Sequence, residues 1–282
     1  MFIDMLFRGL IVMIFISGST VISYYITRLI ALLVPGTLIG EVFLWSGTVL
    51  FSAVMLMSTV YLYVYRGFGT QADIVRHLPS TDNKVVLTFD DGPNATFTPQ
   101  ILDILKEKGA KAVFFMVGMQ VENNPGIAKR IVDEGHDVGN HTYGHITVPN
   151  SPPPRLAAQI MRTNLLILQH TGVYPHFVRP PRGLYDMRMR RIAGLLGQDL
   201  VLWSISSQDW HPRANAAGIV KRVVDRASAG DIILFHDSGS VLGKEGASRK
   251  ATVEALGPII DGLRGKGLEI GGLENIHPFQ SS

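Results

Sequence analysis

Two carboxylates side by side, a pair of histidines four residues apart and a later histidine followed by an acid are the side chains of this sequence best equipped for chemistry. Asp90 and Asp91 stand in the run Thr88-Phe89-Asp90-Asp91-Gly92-Pro93, and His141 and His145 bracket Thr-Tyr-Gly. Imidazoles at that spacing can converge on one cation, and two histidines with one carboxylate form a common three-ligand set that leaves positions open for water and a substrate oxygen. No Glu follows His141, as a helical metalloprotease motif would require, so a general base has to come from elsewhere. The adjacent aspartates offer a division of labour in which one binds metal while its neighbour takes a proton from water. Each run also has a plain structural reading: Asp-Gly-Pro is an ordinary exit from a strand, and a histidine pair can simply lie on a surface.

Three further runs carry polar residues of similar promise: Arg179-Pro-Pro-Arg182-Gly183, Ser207-Gln-Asp209-Trp210, and Ile233-Leu234-Phe-His236-Asp237. Alone, they read as a rigid turn, a packed loop aromatic and a histidine capping a strand. Their placement is what distinguishes them. From Lys84 onward strand patterns near 84–89, 112–116, 137–139, 176–179, 200–203, 231–235 and 268–270 alternate with helix patterns over 98–108, 126–134, 154–170, 186–196, 215–229 and 249–266. That is about seven β/α units, which predicts an α/β fold with a parallel sheet covered by helices. No Gly-rich phosphate loop follows the first strand. All five polar runs fall instead at strand carboxyl ends, where a β/α barrel assembles its active site, so a distorted (β/α) barrel is the expected architecture.

The ordered set TFDDGP, HTYGH, RPPRG, SQDW and LFHD, together with ILDILKEKGAKAVFFMVG and HDVGNHTYGH, resembles the polysaccharide deacetylases of carbohydrate esterase family 4, the NodB-homology domains, over residues 84 to 273. The resemblance implies a distorted barrel that hydrolyses N-acetyl groups with a divalent metal, zinc first and cobalt or another divalent ion as alternatives. It implies Asp91, His141 and His145 as metal ligands, Asp90 as catalytic base and Arg179 as the residue that orients that base. It implies His236 as the acid that protonates the leaving amine, Asp209 as the holder of its imidazole, and Leu234 and Trp210 as walls of a pocket for the acyl methyl. Metal coordination lowers the pKa of water to about 7, so a nearby carboxylate completes the deprotonation.

The sequence departs from this pattern in two places. Arg182 stands where many relatives carry an aromatic; it still supplies the backbone N–H that helps stabilise an oxyanion. Its charge, with Arg188, Arg190 and Arg191 close in sequence, could suit a phosphate-bearing or otherwise anionic substrate, although the plainer reading is a solvated basic helix face. Ser206 stands where many relatives carry an additional Asp. The implied substrate is an N-acylated glycan or amino sugar of peptidoglycan or chitin type. The alternatives are a deacylase or deformylase of a lipid-linked amino sugar and a non-catalytic glycan-binding module, although no metal-ligand position is damaged as the latter would predict.

The N-terminal third differs in composition. Residues 1 to 65 carry only Asp4, Arg8, Arg28 and Glu41 as charges, and runs 9–27 and 42–65 carry none. A bilayer-spanning helix needs ~20 such residues. The expectation is therefore a transmembrane helical hairpin over 1–66 turning at Pro35-Gly36, a linker over 67–83 and the deacetylase domain over 84–282. This would make the protein a multi-pass cell-membrane protein in contact with the lipid bilayer, its catalytic domain on the extracytoplasmic side. Cysteine is absent from the 282 residues, which excludes disulfides, thiolate metal sites and cysteine nucleophiles. The net charge of +3 comes without a dense Lys/Arg run, so nucleic acid is not an expected partner.

Overall fold

The computed structural model describes residues 38–61, 74–79, 83–239 and 248–273, with isolated positions between 18 and 29. The chain divides into two compact units, Met1–Gln71 and Ala72–Ser282. In the first, helix α1 spans Leu38–Tyr61. Among the described residues no helix is long and apolar enough to cross a membrane, which overturns the multi-pass placement. Absence of charge is a weaker condition than continuous apolarity: Ser46, Gly47, Thr48 and Ser52 fall within the expected run 42–65. The other expected span, 9–27, and the turn at Pro35-Gly36 lie outside the described residues apart from a few single positions.

The second unit runs β1 (Ile74–Val75), β2 (Lys84–Asp90), α2 (Thr98–Glu107), β3 (Val113–Met116), α3 (Gly118–Asn123), α4 (Pro125–Asp133) and β4 (Asp137–Asn140). It continues with α5 (Pro153–Thr171), β5 (Phe177–Val178), α6 (Met187–Leu195), β6 (Asp199–Val201), β7 (Ile205–Ser206), α7 (Ala216–Arg226), β8 (Ile232–His236), α8 (Lys250–Gly265) and β9 (Glu269–Gly271). The named strands pair in parallel as one 9-stranded sheet in the order β1-β6-β5-β4-β3-β2-β8-β7, with β9 beside β2. β1 arises inside the stretch expected as a linker, and only its pairing with β6 reveals it.

Connectivity forces the sheet to curl. β6 lies next to one end of the strand order and β7 is the other end, yet residues 202 to 204 alone join them, a reach of at most about 14 Å. Leu202 N–H still bonds the Val75 carbonyl on the β1 side at 2.8 Å, and two residues later Ser204 N–H bonds the Ile232 carbonyl on the β8 side at 3.0 Å. The result is a curled, barrel-like α/β sheet.

Strand alternation then assigns the two faces. On β2, Val85, Leu87 and Phe89 join the layer beneath the helices, where Phe89 stacks between Phe114 and Phe235 at 5.2 and 5.5 Å. Val86 belongs to the inner cluster with Val113, Phe115, Val201 and Ile232, and Thr88 and Asp90 follow it on the same face. On β8 the same rule puts Ile233 and Phe235 outside and Ile232, Leu234 and His236 inside. Asp90 and His236 are register partners across the two strands, so one pleat delivers both to the same rim.

One buried group bears on pH stability. His136, buried beside Phe114, accepts the Ala112 N–H at 3.3 Å, while its Nε2 has no partner among the described residues. Burial, with Lys111 adding to it, pushes the imidazole down to about 4. The unfolded chain therefore binds a proton that the folded chain refuses as pH falls from 6.5 to about 4. Stability present at neutral pH should fall by about 3 kcal/mol across that window from this group. Urea unfolding measured at several pH values should show a shallower acid slope for His136→Gln than for the wild type.

Candidate active site

At the carboxyl end of β2 the backbone turns sharply: Asp91 adopts φ +79, leaving Asp90 aimed into the barrel and Asp91 at its rim. Two glycines make room. A Cβ on Gly92 would collide with the Asp237 carboxyl group, and one on Gly239, itself at φ +104, would collide with Asp91 Oδ2. Side chains therefore cannot replace hydrogen at either position without displacing a carboxylate.

The loop after β4 brings up the histidines. Asn140 anchors it, accepting from Thr142 N–H at 2.7 Å and donating to the Ile160 carbonyl at 2.8 Å and Asn164 Oδ1 at 2.6 Å. Thr142 and His145 both sit at positive φ, a conformation that costs energy for a residue with a side chain and that the surrounding bonds must hold. His141 Nδ1 lies 2.8 Å from the Arg179 carbonyl. A carbonyl only accepts, so Nδ1 carries the proton and the neutral ring presents a bare Nε2 lone pair. That lone pair faces Asp91 Oδ1 at 3.4 Å, and His145 Nε2 lies 3.1 Å from the same oxygen.

Asp91 Oδ1 is buried and makes no hydrogen bond with either ring. Acceptors gathered around an unpaired buried carboxylate oxygen are a donor set awaiting a cation. Oxygen and nitrogen ligands of a tetrahedral zinc stand about 3.3 Å apart, which the observed spacings match. The ligand atoms of Asp91, His141 and His145 all lie within 4.8 Å of one another, so a possible Asp-His-His metal site is present.

Arg179, at the end of β5, is wholly buried and crosses the barrel interior. It donates to Asp90 Oδ1 at 2.7 Å, Thr88 Oγ1 at 2.8 Å, and the carbonyls of Leu202 and Val201 at 2.9 and 3.2 Å, and its guanidinium lies 3.9 Å over the Phe115 ring. Burial presses its pKa down and Asp90 pulls it back up. The pairing fixes one Asp90 oxygen; the other, Oδ2, lies 3.8 Å from His141 Nε2, on the side of the histidine cluster.

Across the rim, His236 Nδ1 lies 2.8 Å from Asp209 Oδ1. Burial opposes its charge most strongly, but Asp209, with Asp91 and Asp90, more than reverses this and raises the imidazole to about 9. A cation beside Asp91 would cancel part of that carboxylate pull and bring the value down. Asp237 is pushed up to about 7, chiefly by burial, with Thr98 Oγ1 donating to it at 2.6 Å.

The remaining predicted residues occupy the periphery. Leu234 is buried one pleat below His236, whereas Trp210 is exposed. Arg182 sits at φ +61 in a tight turn and donates to the Thr147 hydroxyl at 3.0 Å, just past His145. Arg188 does not join it as a free cation: it pairs with Asp186 at 2.9 Å and donates to the Ser151 carbonyl at 3.0 Å. Ser206 accepts the Gln208 N–H at 3.3 Å, a local turn contact. Thr88, Gly239, Arg249 and Thr252 support this site without having stood out in the sequence.

A curled parallel α/β sheet whose rim gathers an acid–arginine pair, an Asp-His-His cluster and an acid–histidine pair has the make-up of an amide hydrolase. The chain belongs to the polysaccharide deacetylase family. The family model of that description matches residues 77–201. A peptidoglycan-N-acetylglucosamine deacetylase of Bacillus cereus is 36% identical over 192 residues, covering 67% of this chain and 86% of that protein. One of the same name from Listeria monocytogenes is 33% identical over 197 residues, covering 70% of this chain and 39% of that protein, so the chain spans about two-fifths of its length. A crystal structure of a peptidoglycan N-acetylglucosamine deacetylase superposes with a TM-score of 0.68 at 34% identity, covering 74% of this chain and 94% of that one.

Proposed function

We propose that this chain is a metal-dependent hydrolase that removes N-acetyl groups from the amino sugars of a glycan of peptidoglycan or chitin type. The observation that carries the reading is the convergence on one rim of Asp90 with Arg179, His236 with Asp209, and the three-ligand cluster Asp91, His141 and His145. When bound there, a divalent ion, zinc by the donor set, supplies Lewis acidity toward the amide carbonyl and acidifies a water to about pKa 7.

The chain's own residues supply the proton traffic. Arg179 occupies Asp90 Oδ1, which leaves Oδ2 to take the proton of the attacking water. As the new C–O bond forms and the C–N bond breaks, the nitrogen takes its proton from His236 and leaves as a neutral amine, the acyl group departing as acetate. Asp209 holds the ring by Nδ1, so Nε2 is the atom that delivers the proton. Leu234 and Trp210 fit as walls for the acyl methyl, and Arg182 offers its backbone N–H to the carbonyl oxygen.

The full-length protein loaded with zinc should release acetate from N-acetylglucosamine oligomers or peptidoglycan, lose that activity on chelation, and regain it with zinc or cobalt. Failure of the folded, zinc-loaded protein to release acetate from any member of such a panel would sink the proposal. The lipid-linked alternative gains no support from a membrane-spanning helix among the described residues. Arg182 is what remains of it: its guanidinium has no carboxylate partner among the described residues, which favours a substrate bearing an anionic group next to the acetamido sugar.

A further inference from the structure

Asp209 is tethered more fully than orienting one imidazole requires. Oδ1 receives the ring N–H of His236 at 2.8 Å, while Oδ2 accepts both the His236 backbone N–H at 2.8 Å and the Thr252 hydroxyl at 2.9 Å. Thr252 lies in the first turn of α8, 43 residues along the chain, and it and Asp209 are both buried. Arg249, immediately before α8 and also buried, donates Nε to the Ser238 carbonyl at 2.7 Å and reaches the Asp209 carbonyl at 3.5 Å. The segment entering α8 thus grips both the strand end that bears His236 and the loop that bears Asp209.

These contacts have a mechanical consequence. The carboxylate can swing about its Cβ–Cγ bond, and any swing carries Oδ1 and the attached ring with it. A hydroxyl bonded to Oδ2, the oxygen the ring does not use, resists that rotation from the opposite side. Burial works against the Asp209 charge, but His236, with Arg249 adding to it, holds the carboxyl below its ordinary range.

We propose that Thr252 is a positioning residue for proton delivery: acting through Asp209, it holds the His236 ring at the angle from which Nε2 reaches the departing nitrogen, with Arg249 locking the two segments together. This rests on His236 being the acid, and the test separates the two ideas. In the full-length, zinc-loaded protein, Thr252→Val removes the hydroxyl at nearly constant volume and Thr252→Ser restores it. The valine variant should lose about tenfold in kcat on an N-acetylglucosamine oligomer, the scale of one hydrogen bond to a charged group, with KM unchanged. Hydrolysis of 4-nitrophenyl acetate, whose leaving group departs without a proton, should be unaffected, and serine should recover the amide rate.

Proton NMR gives a readout independent of turnover: the downfield Nδ1–H resonance of His236 should move in the valine variant and return in the serine variant. His236→Ala is the benchmark. If it loses amide but not ester hydrolysis while Thr252→Val loses neither, the acid reading stands and the positioning role is overturned. Equal losses on both substrates, or an unmoved Nδ1–H resonance, overturn it as well. If His236→Ala keeps its amide activity, the acid reading is what fails, and the resonance still decides whether the tether exists.

Discussion

Asp90→Asn should leave a folded protein that still binds zinc and turns over roughly a thousandfold more slowly, within the range of ~100- to 10,000-fold that general acid–base catalysis typically contributes. The asparagine keeps the shape and one oxygen, so it can still accept from Arg179, whose bond to Asp90 Oδ1 is 2.7 Å long. What it loses is the second carboxylate oxygen as a proton acceptor. The cluster of Asp91, His141 and His145 is untouched, so zinc content should equal that of the wild type. A second effect follows from burial: Arg179 is completely enclosed, and removing its only carboxylate counter-charge among the described residues should destabilise the fold by about 3–5 kcal/mol. Thermal melts beside acetate-release rates separate the two effects. Full activity in a well-folded Asp90→Asn variant would remove Asp90 from the role of base.

Much of this site was legible in the sequence because its parts sit next to strand ends, and strand ends are marked by local signals. The alternation of Val85 to Asp90 fixes which face Asp90 points to, and Ile232 to His236 repeats the pattern two neighbours away in function but adjacent in the sheet. The missed pieces lack such signals. β1 and β7 are two residues each, too short to show a period, and exist only through pairing with β6 and β8. Thr252 looks like any polar residue in a helix's first turn until Asp209 is placed against it. Among Arg182, Arg188, Arg190 and Arg191, Arg188 is taken up locally, because Asp186, two residues before it, is both its partner and the N-cap of α6. The membrane expectation rested on two uncharged apolar runs, one of which lies largely outside the described residues, and no described helix is long and apolar enough to span.

Zinc itself should raise the melting temperature of the wild-type chain, and His145→Ala should abolish both the rise and the hydrolysis. The physical basis is the state of Asp91. Its Oδ1 is buried without a hydrogen-bond donor, and the geometry fixed by the Arg179 carbonyl turns the His141 lone pair toward it. Acceptors so disposed repel one another, and a divalent ion converts that repulsion into attraction. A ligand that binds only the folded form stabilises it by RT ln(1 + [L]/Kd), about 4 kcal/mol at a thousand times Kd, so the shift is large if the ligand set is real. His145 lies on the open side of the cluster, half-exposed, and its truncation to alanine removes one ligand while leaving the buried pair intact. Because the imidazoles must be deprotonated to bind, the zinc-dependent shift should shrink on acidification. Asp90→Asn, by contrast, should keep the full shift while remaining inactive. An equal thermal shift in the wild type and in His145→Ala would show that zinc binds elsewhere and that this cluster is not the metal site.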